Sequence, residues 1–385
     1  MNKSKRQTKR IVGLFPELLG VGGIQEAGRL TAAALDAIAS RHDHWATSFL
    51  SINDGPAEHD FEVARQRVSL RGFDRSKIRF VASALGESKR GVQVVLAAHP
   101  YLALPAAWMK WRSPRIKTMV MSHGVEVWKP LSALRHRALL SADFVLAPST
   151  DTAQKLLEIQ DVPVAKIRKL AWPLNPDFLR MADDPAGLPS PQDFPNGRVI
   201  LTVGRWAASE RYKGVDDLIR AITQLRAKFP GLILAAVGDG DDLSRLQKIA
   251  DDSGVSGSVR FFTNLSRRQI AACYARSEIF ALPSTGEGFG LVFLEAMAFG
   301  KPLIAVACGG STDIVQDHAN GLLVPPHDLN ALIGALSRLL EDSELRMELG
   351  RRGTEIVRQQ YSFEVFQSRL ERILEECGMD SAVAG

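Results

Sequence analysis

The sequence predicts an α/β protein made of two Rossmann-like domains that face each other across a cleft. A chain of 385 residues is longer than a single hydrophobic core usually organises. In both halves, short apolar runs of strand length alternate with stretches of helix length, as parallel sheets require. Residues 181–197, MADDPAGLPSPQDFPNG, have four prolines and neither helical nor strand periodicity, which is typical of an interdomain linker.

The elements follow in order from apolar runs and the Gly and Pro residues that end them. In the N-terminal domain, 1–180, strands are expected at 11–15, 92–97 and 117–121, with a helix near 26–39. In the C-terminal domain, 198–361, strands are expected at 199–203, 232–237, 259–262, 279–282, 302–306 and 322–324. Helices are expected there near 215–229, 241–250, 267–275 and 291–299. The last segment, 362–385, is expected to begin with a helix at 363–376.

Charge is distributed unevenly along the chain. Residues 1–180 contain 27 Lys and Arg against 16 Asp and Glu, whereas the remainder contains 21 against 27. The basic half would be attracted to an anionic membrane surface or an anionic substrate, although a merely soluble surface explains it equally well. Within it, Trp108, Lys110, Trp111 and Arg112 fit either a membrane interface or a helix that packs its tryptophans inward. Nucleic acid is not an expected partner, because no recognition motif is present.

Cysteine usage and hydropathy indicate the compartment. Three cysteines without metal-ligand spacing fit a reducing environment. The basic start at residues 3–10 and the apolar run 11–15 have the order of a signal peptide, but Pro16 and Glu17 end the run too early. No stretch approaches the roughly 18 apolar residues of a spanning helix. We therefore expect a cytoplasmic protein, held at most peripherally at the inner face of a membrane.

The central motif is PSTGEGFGLVFLEAMAFG at 283–300. Gly288 and Gly290 flank Phe289 where a helix is expected to begin, so the backbone there would offer N–H groups to a phosphate. Glu295 interrupts an otherwise apolar helix and therefore needs hydroxyl or N–H donors. Glu287 places a second carboxylate at the carboxyl end of a strand, where open α/β sheets bind ligands. Together these residues suggest a sugar nucleotide; the alternative is a solvated Glu287 and a Glu295 paired with an arginine.

Cations follow the first strand of the C-terminal domain. Arg205 comes directly after Gly204, and Lys213 precedes the next helix. Two cations at a strand end would neutralise charge on a departing diphosphate, although exposed loop cations are common. The acidic run 238–242 does not have the spacing of a calcium loop, so no metal site is expected.

The segment EGFGLVFLEAMAFGKPLIA, in which seven residues separate Glu287 from Glu295, resembles the signature of the family 4 glycosyltransferases, which are retaining enzymes of the GT-B fold. GRWAASERYKG resembles their phosphate-clamping segment, which assigns Arg205 and Lys213 to the diphosphate. SHGVEVW resembles their histidine loop, which assigns His123 to the transferred sugar. The resemblance also implies that the turn at Gly22 and Gly23 faces the donor phosphates and that the last helix returns to the first domain.

The sequence thus predicts a retaining hexosyltransferase of polysaccharide biosynthesis that uses a nucleoside diphosphate sugar and a hydroxyl acceptor, with no further cofactor. Glu287 would bind donor-sugar hydroxyls and Glu295 the ribose diol. Because no side chain is an obvious covalent nucleophile, the resemblance implies front-face attack. The basic half favours a lipid-linked or otherwise anionic acceptor. Alternatives are an epimerase or phosphorylase on the same fold and a non-catalytic sugar-nucleotide binder.

Overall fold

A computed structural model describes residues 8–42 and 44–379. Residues 3–7 of the basic start and 380–385 of the last predicted segment lie outside that range. The strands are β1 Lys9–Phe15, β2 Trp45–Ser51, β3 Glu58–Val63, β4 Gln66–Gly72, β5 Val92–Ala97, β6 Lys117–Met121, β7 Phe144–Ala147, β8 Ile167–Lys169, β9 Val199–Val203, β10 Ile233–Val237, β11 Val259–Phe262, β12 Ile279–Leu282, β13 Leu303–Val306 and β14 Gly321–Val324.

The helices lie between these strands in both halves of the chain. They are α1 Gly23–Ser40, α2 Lys77–Glu87, α3 Ala103–Arg112, α4 Ala133–Leu140, α5 Thr150–Glu158, α6 Pro176–Asp183, α7 Val215–Leu225, α8 Leu243–Asp252, α9 Arg267–Arg276, α10 Leu291–Ala298, α11 Leu329–Glu341, α12 Ser343–Gln360 and α13 Phe363–Glu376. Within the described ranges, no helix combines the length and apolarity needed to span a bilayer.

The first compact unit runs to Asn175 and resumes at Ser362 with α13. Its eight strands have the order β3-β4-β2-β1-β5-β6-β7-β8. All neighbours are parallel except the edge pair β3 and β4. Helix α13 packs on α1, and Glu371 of α13 accepts a 3.0 Å hydrogen bond from Arg41. The unit is therefore a doubly wound parallel sheet extended by one hairpin.

The second compact unit spans Pro176–Tyr361. Its six strands are all parallel and have the order β11-β10-β9-β12-β13-β14. Every residue of β9, β12 and β13 is buried, as expected for central strands covered by helices on both faces. The strand order reverses between β9 and β12, which is where doubly wound sheets bind ligands.

The structure confirms the predicted fold class of two parallel-sheet α/β domains, but divides the chain at different residues. The segment 181–197 lies inside the second unit, because α6 begins at Pro176 and packs on α9 and α10. Phe178 of α6 lies edge-on to Tyr274, with 6.3 Å between ring centroids. The apolar face of α6 was not recognised in the sequence because it is only two turns long and is followed by the prolines.

Candidate functional site

The candidate site of the second unit is built from two loops at the reversal of strand order. One loop follows β9 and contains Arg205 and Lys213, and the other follows β12 and contains Glu287. Since β9 and β12 are parallel neighbours, both loops leave the same edge of the sheet. The sequence reasoning located both loops at strand ends; the strand order makes them adjacent.

Two contacts fix the cationic segment to the second loop. The N–H of Thr285 donates a 2.8 Å hydrogen bond to the carbonyl of Tyr212. Gly214 has a φ of 72°, and a Cβ at this position would lie 2.4 Å from the carbonyl oxygen of Pro283. Only glycine tolerates both the positive φ and this close approach. The segment before α7 is thereby held against the loop, and Lys213 is brought within electrostatic range of Glu287.

Both cations of the segment contact Glu210, a residue that sequence reasoning did not single out. The Lys213 Nζ lies 3.0 Å from one carboxylate oxygen of Glu210, and Arg205 donates a hydrogen bond to the other. The Glu210 and Lys213 side chains are only 11% and 14% exposed, whereas Arg205 is 71% exposed. Burial lowers the pKa of Lys213, as does the nearby Arg205, while Glu287 opposes them. The segment thus places two cations, Arg205 and Lys213, on the single carboxylate of Glu210.

Glu287 is partly buried at the start of the glycine-containing loop. Burial raises the pKa of its carboxyl group, and the charge of Lys213 opposes that shift. Among the described residues, its carboxylate accepts no hydrogen bond, so its oxygens remain available to hydroxyl donors. The alternative of a fully solvated loop glutamate is wrong.

The backbone between Glu287 and Gly290 packs closely against Gly310 of another loop. A Cβ on Gly310 would lie 2.1 Å from the carbonyl oxygen of Gly288, and the N–H of Gly310 donates a 2.7 Å hydrogen bond to the carbonyl of Glu287. Gly290 has a φ of 96° and immediately precedes α10. Phe289 is buried, with its ring 6.1 Å from that of Tyr361. The first-turn N–H groups of α10 therefore lie directly after a tightly packed loop. N–H groups at a helix start suit an anion.

Glu295 lies on α10, one turn after the loop. Its carboxylate accepts a 2.9 Å hydrogen bond from the hydroxyl of Tyr274 on α9. Burial raises the pKa of Tyr274 well above its usual value, and the charge of Glu295 adds to the shift, so the phenol stays protonated and donates. One of the expected donors is thus the hydroxyl of a tyrosine. This contact joins α9 to α10, and no sequence spacing identifies it.

The acidic run 238–242 has structural roles. Asp241 accepts a 2.8 Å hydrogen bond from the N–H of Ala208, and Asp242 pairs with Arg211 and Arg245. A Cβ on Gly238 would lie 1.7 Å from the carbonyl oxygen of Gly204. This turn therefore supports the loop after β9.

In the first unit, Gly22 and Gly23 lie where β1 ends and α1 begins. Both are exposed, and Gly22 has a φ of 146°. The preceding turn is held by Arg29, whose guanidinium donates 2.6 Å and 2.8 Å hydrogen bonds to the carbonyls of Leu18 and Gly20. Asp54 accepts the N–H of Leu18 at 2.7 Å. The turn is thus an ordered one, at the strand-order reversal of the first sheet.

His123 follows β6 and is buried. Its Nε2 lies 2.7 Å from the carbonyl oxygen of Ala98, and its ring lies 5.0 Å from that of Trp172. Burial lowers the pKa of His123, so the neutral imidazole donates from Nε2 and Nδ1 is an acceptor. That Nδ1 is buried without a hydrogen-bond partner in the described residues. Glu126 accepts the N–H of His123 and so orders this loop.

Comparisons with known proteins indicate the family of the chain. Residues 189–356 match the model of the glycosyl transferases group 1 family. The D-inositol 3-phosphate glycosyltransferase of Corynebacterium jeikeium is 33% identical to this chain. The match covers 54% of this chain and 52% of that protein. A GDP-mannose-dependent alpha-(1-6)-phosphatidylinositol monomannoside mannosyltransferase of Mycolicibacterium smegmatis is 30% identical over 67% of this chain and 70% of its own. The chain spans about half the length of the first of these relatives.

Solved structures have the same fold. The Anabaena protein HepE in complex with UDP has a TM-score of 0.73, at 18% identity over 95% of this chain and 100% of its own. A sucrose-phosphate synthase from Thermosynechococcus elongatus has a TM-score of 0.71, at 22% identity over 95% and 98%. At these identities the likeness concerns the fold alone, and it confirms the predicted GT-B class.

Proposed function

The chain belongs to the glycosyl transferases group 1 family, and from that premise we propose that it is a retaining glycosyltransferase that moves a hexose from a nucleoside diphosphate sugar to a hydroxyl acceptor. The observation that carries the proposal is the convergence of two cations, a carboxylate without hydrogen bonds and a helix start on one edge of the second sheet. Cations suit the diphosphate, and the carboxylate suits sugar hydroxyls.

Each residue has a role in the proposed reaction. Arg205 and Lys213 stabilise the charge that grows on the departing diphosphate, an effect that electrostatic preorganisation makes large. The backbone at Gly288–Gly290 supports the same charge, as does the turn at Gly22 and Gly23. Glu287 binds hydroxyls of the transferred sugar.

Two further residues complete the assignment. Glu295, oriented by Tyr274, binds the ribose diol. His123 contacts the sugar near the reacting carbon, where its unpartnered Nδ1 accepts a hydroxyl proton. Both roles are taken from the family resemblance and fit the hydrogen-bonding state of the two side chains.

The bond changes of the proposed step balance without another reactant. The acceptor oxygen attacks the anomeric carbon on the face from which the diphosphate departs. The bond between that carbon and the phosphate oxygen breaks as the new glycosidic bond forms. The acceptor proton passes to an oxygen of the leaving diphosphate, so the anomeric configuration is kept.

The acceptor is proposed to be a lipid-linked or anionic glycan precursor at the inner face of a membrane. The basic balance of residues 1–180 supports this class. The relatives' names point to phosphoinositol acceptors and, in Rhizobium meliloti, to lipopolysaccharide core. Because one relative's name specifies GDP-mannose and one solved neighbour holds UDP, the nucleotide base is left open.

Turnover with a panel of UDP, GDP and ADP sugars tests the proposal. We expect release of nucleoside diphosphate that rises when a lipid-linked acceptor extract is added and falls at least about 100-fold in Lys213→Met. Lys248→Met, which changes an exposed lysine on α8, is the matched control. Sugar isomerisation without acceptor would indicate an epimerase, and dependence on inorganic phosphate a phosphorylase. Binding without any turnover would indicate a sensor; each of these results contradicts the proposal.

A further inference from the structure

A groove in the first unit combines exposed tryptophans with exposed arginines. Helices α3 and α4 pack side by side and form a groove of about 500 Å³. Trp108 is 41% exposed and Trp111 is 82% exposed. The alternative that α3 packs its tryptophans inward is therefore wrong. We call this groove, lined by Trp108, Trp111, Leu134 and Arg137, together with the adjacent exposed Arg112, the basic groove.

The apolar side chains of the basic groove lie on one stripe of each helix. Leu104, Trp108 and Trp111 are spaced by four and three residues, so they share a face of α3. The opposite face of α3 is buried through Ala106 and Met109. Leu134, 59% exposed, lines the groove from α4. Large apolar side chains left in solvent on one face mark an interaction surface.

The charges around the basic groove have one sign. Residues 103–141 contain seven Lys and Arg and a single acidic residue, Glu126. Glu126 is occupied by the N–H groups of His123 and Gly124. Within residues 8–42 and 44–379, Arg112, Arg115 and Arg137 form no ion pair.

Two of the three lysines of residues 103–141 are paired, in contrast to these arginines. Lys110 and Lys117 both contact Asp143, and Lys110 also donates a 3.1 Å hydrogen bond to the carbonyl of Ser141 at the end of α4. Lys110 therefore ties α3 to the end of α4. Arg137, which lines the groove, and Arg112, which follows Trp111 in the chain, leave unneutralised positive charge beside it.

We propose that the basic groove docks the protein on an anionic lipid bilayer. Tryptophan rings suit the headgroup level of a bilayer, and arginines beside them are attracted to anionic lipid. An acidic protein would satisfy the charge alone, but the exposed tryptophan pair on a rigid helix favours the lipid interface. This inference rests on the membrane location in the proposed function and names the surface that contacts the bilayer.

Vesicle sedimentation of the full chain without donor tests the docking. Vesicles of phosphatidylcholine with about one third phosphatidylglycerol are compared with phosphatidylcholine alone. We expect preferential binding to the anionic vesicles, weakened by high salt. Since each cation near the surface contributes roughly a fivefold factor, Arg112→Glu with Arg137→Glu should lower the partition coefficient at least about 30-fold. Trp111→Ser should lower it about fivefold or more.

Matched controls carry the same changes elsewhere. Arg260 and Arg372 are exposed arginines without ion pairs in the described part of the chain, and their reversal to Glu alters net charge equally. Met347, 66% exposed, is the control for loss of an apolar side chain. Donor-induced thermal stabilisation, measured in parallel, shows that each variant is folded and tests the proposed function separately.

Two results would overturn the docking proposal. One is equal binding to both vesicle compositions, or none. The other is an equal loss of binding in the groove variants and the controls. Failure of donor binding with vesicle binding intact would instead contradict the transfer reaction and leave the docking surface standing.

Discussion

Replacing Glu210 with Gln tests how the phosphate-binding cations are held before a donor arrives. In the structure both Arg205 and Lys213 bind this carboxylate. In the proposed reaction the donor diphosphate binds the same two cations, so it would displace Glu210. The substitution keeps the size of the side chain and its ability to accept a hydrogen bond, but removes its charge.

The magnitude follows from the distance. At the 3.0 Å between Lys213 and Glu210, the Coulomb attraction is about 1.4 kcal/mol in water and about 5 kcal/mol at an effective dielectric of about 20. Desolvation offsets much of this, and a hydrogen bond to a charged group contributes about 1.5–3 kcal/mol net. Glu210→Gln should therefore tighten the binding of a nucleoside diphosphate by about ten- to hundredfold.

Isothermal titration with UDP, GDP and ADP measures this change directly. Glu355→Gln is the matched control, because Glu355 pairs with Arg351 on the exposed face of α12. Unchanged or weaker binding by Glu210→Gln would refute the reasoning. In that case Glu210 would position the cations for the diphosphate instead of competing with it.

Three further predictions concern neighbouring contacts. Gly310→Ala places a Cβ 2.1 Å from the loop backbone, so we expect nucleotide affinity to fall at least about tenfold, whereas Gly334→Ala, with no atom within 4 Å, should leave it unchanged in the same titration. Tyr274→Phe removes the hydroxyl that donates a hydrogen bond to Glu295, which should cost about 1–2 kcal/mol of unfolding free energy in denaturant titrations. The same substitution should weaken the binding of the sugar nucleotide. Unchanged nucleotide affinity would show that this contact does not orient Glu295. Burial, opposed by Glu126, lowers the pKa of His99 to about 4, so the unfolded chain binds more protons between about pH 6.5 and 4 and stability falls as pH falls through that window. The part of this loss that is due to His99 should be on the order of 2 kcal/mol from pH 7 to 5, so urea unfolding should show a loss smaller by about that amount in His99→Gln.

The sequence was sufficient for three strands of the first sheet and for the six strands of the second, whereas β2, β3, β4, β7 and β8 were not predicted. Apolar runs predicted β5, β6, β9, β11 and β12 with the bounds that the structure has. These strands are short apolar runs, and all of them except the edge strand β11 are mostly buried, which makes their pattern easy to recognise. Helix ends were less well defined, as at α7, which stops at Leu225 because the chain turns before Phe229.

The residues that support the site could not be predicted from spacing. Tyr274 lies 21 positions before Glu295, and Gly310 lies 22 positions after Gly288. Such contacts depend on which helices and loops become neighbours, and the strand order decides this. Glu210 and Tyr212 were within the quoted motif, but only the fold shows that one pairs with both cations and the other fixes the segment to the loop after β12.

The assigned roles of His123, Gly22 and Gly23 rest on resemblance together with local geometry. Their hydrogen-bonding state is compatible with those roles: the His123 Nδ1 is an open acceptor, and the glycine turn is exposed and ordered. His123→Ala, compared with the native protein for donor binding and for turnover, would separate a contact to the ground state from one to the reacting sugar.

Thermal unfolding with sugar nucleotides tests the central claim most directly. A ligand at about 100 times its Kd stabilises the native state by about 2.7 kcal/mol. We predict that one series among the UDP, GDP and ADP sugars raises the unfolding temperature of the native protein. Glu295→Gln should lose most of that shift, and Glu355→Gln should keep it. A native protein that no sugar nucleotide stabilises would contradict the assignment of this site to a nucleoside diphosphate sugar.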